Sequence, residues 1–220
     1  MGNMRVDFKP SNFATLIQEK GYELTLYRSI PCPCISVDTG QPDPNCPNCE
    51  RGWQYYGSEV FKGVCSGFSA EKQFADPGHF LIGSMQMTTH ANVNLGYHDR
   101  IVNQNSLITF SELILKESGF NSKFRYDPVE HLRLIDTNGT AYEVDTDFTV
   151  SNRVITWVDE ENEPSDNAYF SVAYQMHPIW LCTSFPHLVR STHVKFRHSV
   201  DTHYAMPIQV LCKLEWLVET

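Results

Sequence analysis

"HLRLIDTNGTAYEVDTDFTVSNRVITWV", residues 131–158, carries the strongest signal for the class of fold. Short runs rich in leucine, β-branched and aromatic residues alternate with polar positions, which is the period of half-buried β-strands. Turn signals separate these runs. Asn138-Gly139 favours the positive φ angles of a type I′ turn, and VSNRV at 150–154 marks a second turn. The stretch therefore predicts two consecutive β-hairpins.

Similar strand patterns recur through the rest of the chain, about ten residues apart, at residues 22–28, 53–68, 79–90, 107–116, 168–175, 188–198 and 208–219. One segment favours a helix: SNFATLIQEKG, with Ser11 as N-cap, Phe13, Leu16 and Ile17 on one face, and Gly21 as its end. No helices alternate with the strands. We therefore predict a mainly β protein with antiparallel β-barrel or β-sandwich regions and a short N-terminal helix.

Four of the seven cysteines lie close together in the sequence, as C-x-C, eleven residues and C-x-x-C, at Cys32, Cys34, Cys46 and Cys49. In a reducing cytosol, four thiols at this spacing bind a metal more often than they pair as disulfides. Zinc fits best, because four sulfurs at about 2.3 Å complete its tetrahedron. A disulfide pair formed after release from the cell and an iron–sulfur cluster are the alternatives.

A metal held by four cysteines has a structural role. The set leaves no coordination position open for a substrate, and the energy of metal binding becomes folding energy for a loop that is poor in apolar residues. The other three cysteines, Cys65, Cys182 and Cys212, lie in apolar strand-like segments. We predict that these three are buried single thiols.

Three segments follow from these patterns. Residues 1–56 hold the N-terminal helix and a zinc-ribbon-like arm, residues 57–118 form a β-barrel-like region, and residues 119–220 form a second β-rich region. The last two segments can also be one continuous domain.

The charge and hydropathy of the chain argue against two classes of function. The net charge is −9 and the pI is about 5.4, so the surface repels phosphate backbones. The apolar runs are far shorter than the roughly 20 residues of a membrane-spanning helix. The first residues, MGNMRVDFKPSNF, lack the pattern of a signal peptide. We therefore expect no membrane partner and a chain that is made and folded in a cytosol.

Enzyme motifs are missing: the sequence has no G-x-S-x-G, no glycine-rich phosphate loop and no H-E-x-x-H. We predict no catalytic residues. The acidic run at 159–166 lacks the spacing of an EF-hand and is interpreted as a solvated hairpin loop. LGYHDR at 95–100 is interpreted as a turn that carries an ion pair. The evenly spaced His193, His198 and His203 are interpreted as ordinary histidines, of which the first and last can share one side of a strand.

Residues 139–182, continuing through HLVRSTHV and MPIQVLCKLEWL, resemble neck or head-to-tail joining proteins of tailed bacteriophages. Those proteins carry a hairpin series of the form Y…DF.V….I.W…P….Y.V.Y…P that ends in a strand introduced by a proline. The matching positions are Tyr142, Asp147, Phe148, Val150, Ile155, Trp157, Pro164, Tyr169, Val172, Tyr174 and Pro178, with Pro207 before the final strand. NLGYHDRI and the cysteine loop are similar too, so the resemblance covers about two thirds of the chain.

The resemblance implies a structural virion protein without catalysis, assembled in the host cytoplasm. It implies a homo-oligomeric ring, sixfold or twelvefold, between portal and tail, with portal-side and tail-side phage proteins as partners and DNA passing through without specific binding. Two alternatives come from the residues. A zinc-ribbon nucleic-acid regulator needs a basic patch, but residues 28–56 hold only Arg28 and Arg51 against three acids. A phage-borne hydrolase needs carboxylates that converge from separate strands.

Overall fold

A computed structural model describes residues 10–67, 83–117, 122–158, 163–187, 191–194 and 202–218. The chain is mainly β, its strands pair antiparallel, and one short α-helix precedes them, which confirms the predicted fold class. None of the described helices is long and apolar enough to cross a membrane.

The elements follow in chain order, with one α-helix, fourteen strands and a final 3-10 helix among the described residues. They are α1 (Pro10–Lys20), β1 (Tyr22–Pro31), β2 (Trp53–Gly67), β3 (Ser84–Thr89), β4 (Arg100–Val102), β5 (Ile108–Leu115), β6 (Glu130–Asp136), β7 (Ala141–Tyr142), β8 (Phe148–Ser151), β9 (Val154–Trp157), β10 (Tyr169–Met176), β11 (Ile179–His187), β12 (Ser191–Val194), β13 (Thr202–Ala205), β14 (Ile208–Leu214) and the 3-10 helix Glu215–Leu217.

Two compact units divide the chain: Met1–Gln104 together with Ile179–Thr220, and Asn105–Pro178. This grouping differs from the three consecutive segments expected from the sequence. The reason is long-range strand pairing. β14 pairs with β3, and β11 pairs with β4, so the C-terminal strands complete a sheet that the N-terminal strands begin. The second unit is therefore inserted in the sequence between two neighbouring strands of the first.

The first unit is a closed barrel with the strand order β1-β2-β3-β14-β11-β4, in which β4 also pairs with β1. Alternate residues point inward, as the period of a strand requires. Leu24, Met87, Ile101 and Val210 are among the side chains that are at most 1% exposed. β1 and β2 are barrel strands, so the cysteine loop between them is part of this unit rather than a separate arm.

Ile17 is the buried side chain of the helix among the residues whose burial the structure describes. Ile17 is 1% exposed, whereas Phe13 and Leu16 of the same predicted face are largely exposed. α1 begins at Pro10, one residue before the expected N-cap, and proline suits the first turn of a helix. It ends as predicted at Gly21, whose N–H donates to the Ile17 carbonyl oxygen at 2.9 Å.

The second unit contains a four-stranded sheet in the order β5-β10-β6-β7 and the hairpin β8–β9. Its interior is rich in aromatic residues, among them Phe124, Phe148 and Phe170. Tyr174 is fully buried; its hydroxyl donates to Glu112 Oε1 at 2.8 Å and accepts from the Tyr126 N–H at 3.2 Å. Burial raises the pKa of Tyr174, and the hydrogen bond to Glu112 raises it further, so the phenol stays neutral.

Both hairpins predicted from residues 131–158 are present, but their turns differ from the expectation. At 136–140 Gly139 adopts a positive φ of 85° and Asn138 does not, so the predicted type I′ turn was wrong. Asp136 explains this, because its Oδ1 accepts hydrogen bonds from the Asn138 and Thr140 N–H groups, both at 2.8 Å. The result is a type I turn followed by a left-handed glycine.

The type I′ pattern of positive φ angles occurs instead between β8 and β9. Asn152 and Arg153 have φ angles of 50° and 68°, and they connect the paired residues Ser151 and Val154. The twist of a two-residue turn of this kind matches that of the flanking strands.

The described part of the acidic run folds over a buried lysine. Lys116, whose side chain is 8% exposed, has its Nζ 2.5 Å from a Glu163 carboxylate oxygen and 3.5 Å from one of Asp166. The same amine donates to the Pro164 carbonyl oxygen at 2.7 Å. The interpretation of this run as a solvated loop holds for the exposed Ser165 and Asp166 but not for Glu163 and Pro164, which pack on the amine of the residue that follows β5. Residues 159–162 lie outside the described residues.

Candidate metal centre

The loop between β1 and β2 brings the four predicted cysteine ligands together. The Sγ atoms of Cys32, Cys34, Cys46 and Cys49 all lie within 4.8 Å of one another. Cys32 and Cys46 are 3.8 Å apart, and Cys34 and Cys49 are 3.5 Å apart. A tetrahedral ion with metal–sulfur bonds of about 2.3 Å needs sulfurs separated by about 3.8 Å. The thiols therefore have the spacing of a mononuclear four-sulfur site.

Backbone hydrogen bonds at the end of β1 position the first pair of cysteines. The Cys32 N–H donates to the Gly52 carbonyl oxygen at 2.7 Å, which joins the two sides of the loop. Ile35 N–H then donates to the Cys32 carbonyl oxygen at 3.1 Å, and this turn carries Cys34 back toward the same point. The loop thus converges through main-chain contacts as well as through its thiols.

A tight turn follows Cys49. Glu50 and Trp53 exchange backbone hydrogen bonds of 2.9 and 3.0 Å, and the two residues between them, Arg51 and Gly52, have φ angles of 51° and 85°. A side chain at Gly52 would place its Cβ 3.0 Å from the Cβ of Pro42. Glycine is required here both for the backbone conformation and for the close packing of the loop.

The thiols of the cluster do not ionise readily together. Burial, aided by the neighbouring thiols, raises the pKa of Cys49 to about 12, and burial also raises that of Cys34. A backbone hydrogen bond from Cys34 lowers the pKa of Cys32. A divalent cation supplies the positive charge that stabilises four adjacent thiolates. The donor set and its spacing therefore fit a soft or borderline metal ion.

An ion-pair network fixes the loop to the barrel. Arg100 on β4 contacts the carboxylate of Glu50, the residue after Cys49, and that of Glu215 in the final 3-10 helix. Its guanidinium also lies over the Tyr55 ring, 3.8 Å from the ring centroid. Burial alone lowers the pKa of Arg100, but the two carboxylates outweigh it and raise that pKa above its ordinary value. The cation is therefore held by its partners although it is mostly buried.

Ring stacking forms a second connection to the barrel. Trp53 at the start of β2 stacks on His98 with the ring centroids 4.4 Å apart and the planes 7° from parallel. His98 is buried, and burial lowers its pKa, so the imidazole is neutral at pH 7. The end of the cysteine loop, where β2 begins, thus packs against the segment that connects β3 and β4.

The predicted turn at 95–100 is present, and its charged residues pair with other elements. Asp99 N–H donates to the Gly96 carbonyl oxygen at 3.2 Å. The buried Asp99 carboxylate accepts from Arg28 Nη1 at 3.1 Å and from the Ser29 N–H at 2.9 Å. The interpretation of this segment as a turn is confirmed, and sequence proximity did not reveal the partners of Asp99 and Arg100 because they lie far away along the chain.

The structure describes the backbone at two of the three evenly spaced histidines. The register of β12 and β13 places His193 directly opposite His203, on neighbouring strands of a hairpin. His198 lies outside the described residues.

Gln54 supports the cluster from outside it, since its Nε2 donates to Cys32 Sγ at 3.4 Å. This contact stabilises a thiolate and orients it, and loss of such a contact typically weakens metal binding 10- to 100-fold. With zinc as the probe metal, we expect Gln54→Leu to weaken metal binding by about tenfold or more, measured by competition with a chromophoric chelator. Gln86→Leu on β3 is the matched control. An affinity of Gln54→Leu within twofold of the control would show that the hydrogen bond does not act on the metal.

Comparison with known proteins adds no family to this description. A scan against protein-family models and a search of curated proteins each found no match. The functional inference below therefore depends on the geometry of the cysteine cluster and on the sequence resemblance.

Proposed function

We propose that the four cysteines hold one structural zinc ion and that the zinc-bound chain is a non-catalytic structural protein of the tailed-bacteriophage neck. The observation that carries the metal assignment is the convergence of four Sγ atoms within 4.8 Å. The resemblance described above carries the neck assignment. The two parts of the proposal are tested separately.

The geometry favours a mononuclear ion over the alternatives. A disulfide requires sulfurs about 2.05 Å apart, whereas the closest pair in the cluster is 3.5 Å apart and all four cysteines are free thiols. An iron–sulfur cluster contains several irons and bridging sulfides. Its four cysteine Sγ atoms must therefore lie farther apart than those around a single ion. Zinc requires only a tetrahedron and has no electronic preference for another geometry. With four protein ligands the ion has no open position, so its role is structural.

Zinc is proposed to hold the loop in one conformation. The segment between the two cysteine pairs has almost no buried apolar residues, and Val37 at its tip is fully exposed. Such a segment cannot offset its conformational entropy by burial. Metal binding supplies that free energy. The contacts of Glu50 and Trp53 with the barrel then give the exposed tip a defined position.

Three features support the neck assignment. The closed ligand set suits a structural part rather than a catalyst. The net charge of −9 suits a channel that lets DNA slide past without holding it, because an acidic wall repels phosphates. Identical copies that meet through heterologous contacts close into a ring. We propose a homo-oligomeric ring in the virion that contacts portal-side and tail-side proteins.

Light scattering coupled to size exclusion tests the ring. The zinc-loaded chain is measured alone and then mixed with purified portal protein and tail-side proteins of the same phage. We expect a species of six or twelve copies, alone or on the portal. A monomer under every condition contradicts the neck assignment and leaves the zinc assignment intact. Tight DNA binding with a steep salt dependence would instead favour the nucleic-acid regulator.

A further inference from the structure

Two cysteines outside the cysteine loop are direct partners on adjacent strands of the barrel. Cys182 on β11 and Cys212 on β14 are directly opposite in the register of these antiparallel strands. Both side chains belong to the barrel core and are 0% and 1% exposed. Thr183 lies in a bulge that starts immediately after the pair.

Backbone hydrogen bonds show whether Cys182 and Cys212 are a hydrogen-bonded or a non-hydrogen-bonded pair of the antiparallel strands. The Cys182 N–H donates to the Asp99 carbonyl oxygen at 3.0 Å, and the Cys182 carbonyl oxygen accepts from the His98 N–H at 2.9 Å. Both groups therefore point away from β14, so Cys182 and Cys212 form a non-hydrogen-bonded pair. In such pairs the Cα atoms are about 4.5 Å apart and the side chains are closest. Disulfides span Cα distances of about 4.4–6.8 Å.

The third barrel cysteine is less well placed. Cys65 on β2 is opposite Met87 on β3, and Met87 is in turn opposite Val210 on β14. One whole strand thus separates Cys65 from the strand of Cys212, a distance of about 9.6 Å. This exceeds the roughly 7 Å beyond which a disulfide requires backbone movement.

We propose that Cys182 and Cys212 form a cross-strand disulfide when the folded chain meets a disulfide oxidant such as oxidised glutathione. One cysteine loses its proton and attacks the oxidant, which releases one glutathione thiol and leaves a mixed disulfide. The second cysteine, also deprotonated, attacks the protein sulfur of that mixed disulfide and releases the second thiol. The two cysteines give up two electrons and two protons, and the oxidant takes up both.

The surroundings make this reaction slow. A hydrogen bond to Cys182, together with burial, raises the pKa of Cys212 well above its ordinary value. Only the thiolate attacks a disulfide, so brief openings of the strands limit the rate. The thiols thus stay reduced in a reducing cytosol, and the bond forms after prolonged contact with an oxidant.

Mass spectrometry tests the proposal on the full zinc-loaded chain. The reductant is removed, oxidised glutathione is added, and the remaining thiols are alkylated after denaturation, with and without mild urea that leaves the chain folded. We expect a linked peptide pair containing Cys182 and Cys212 and an intact mass lower by two hydrogens. We also expect the thermal midpoint to rise by about 5 °C or more, since the bond restricts the unfolded chain.

Two variants test whether the link and the rise in thermal midpoint depend on Cys212 and not on Cys65. Cys65→Ala retains the link, and Cys212→Ala abolishes both the link and the rise in midpoint. Should Cys212→Ala not fold, comparison of the oxidised and reduced natural chain still measures both effects. Full alkylation of Cys182 and Cys212 even in mild urea, or a link that uses Cys65 or a metal-centre cysteine instead, would overturn the proposal. Zinc content is measured in the same samples. The presence or absence of the Cys182–Cys212 link can then be judged separately from the presence or absence of the proposed zinc site.

Discussion

Replacing Cys49 by serine is expected to lower the zinc bound at the proposed site from about one ion per chain to below about a tenth of an ion, because a structural zinc site needs all four ligands. Cys49 is one of four thiols within 4.8 Å, and the segment they enclose has little other stabilisation. Cys46→Ser has the same effect, since it removes the partner that lies 3.8 Å from Cys32. Elemental analysis of the purified proteins measures the loss.

We expect the same substitution to destabilise the loop, because structural zinc sites contribute about 10–16 kcal/mol of binding free energy in small zinc modules. We expect limited proteolysis to cut the loop between the cysteine pairs in Cys49→Ser and in chelator-treated protein, but not in the zinc-loaded chain. Cys65→Ser is the matched control, because it removes a thiol from the barrel and none from the cluster. Unchanged zinc content in both Cys46→Ser and Cys49→Ser would rule out the four-thiolate site.

Replacing Arg100 by methionine is expected to reduce the free energy of unfolding by about 3–5 kcal/mol, because it leaves a buried carboxylate without its cation. The side chains of Arg100 and Glu215 are 15% and 10% exposed, so water cannot fully replace the lost partner. Methionine keeps an unbranched apolar stem like that of arginine and removes the charge. Urea unfolding followed by tryptophan fluorescence measures the effect.

A surface pair provides the control for Arg100. Glu59 is half exposed and contacts Arg28 at 3.0 Å, and exposed pairs contribute less than about 1 kcal/mol. Glu59→Gln should therefore have little effect. The double variant Arg100→Met with Glu215→Met should recover much of the lost stability, because the uncompensated buried carboxylate is gone. A cost of Arg100→Met as small as that of Glu59→Gln would show that the network does not stabilise the barrel.

The cysteine cluster and the ion pairs of Arg100 meet at the end of the cysteine loop. Cys49 and Glu50 are adjacent in the chain, so the proposed metal ligand and the carboxylate that binds Arg100 lie side by side. In the proposed site zinc would hold the loop in one conformation, and Arg100 joins the loop to the barrel. We therefore expect the tip of the loop to keep its position on the barrel only when both are present, which is what a contact surface for a neighbouring subunit requires.

Local patterns in the sequence were sufficient for most of the strands, for both hairpins and for the set of candidate metal ligands, but they did not predict β4, β11 or β13. Strand alternation depends on residues two positions apart, and the cysteine pairs lie within two or three positions of each other, so neighbouring residues carry both signals. At the turn of residues 136–140 the local pattern predicted the wrong turn type. The dipeptide Asn138-Gly139 favours one turn type, but the side chain of Asp136 selects another by binding two backbone N–H groups.

Only the tertiary structure showed how the strands close and which distant residues meet. The barrel depends on β14 pairing with β3 and on β11 pairing with β4 across an inserted unit, and no local period encodes such a partner. Arg100 meets carboxylates 50 and 115 positions away. Cys182 meets Cys212 through strand register alone. Periodicity states which side of a strand a residue occupies, whereas packing of the whole core decides which strand lies beside it.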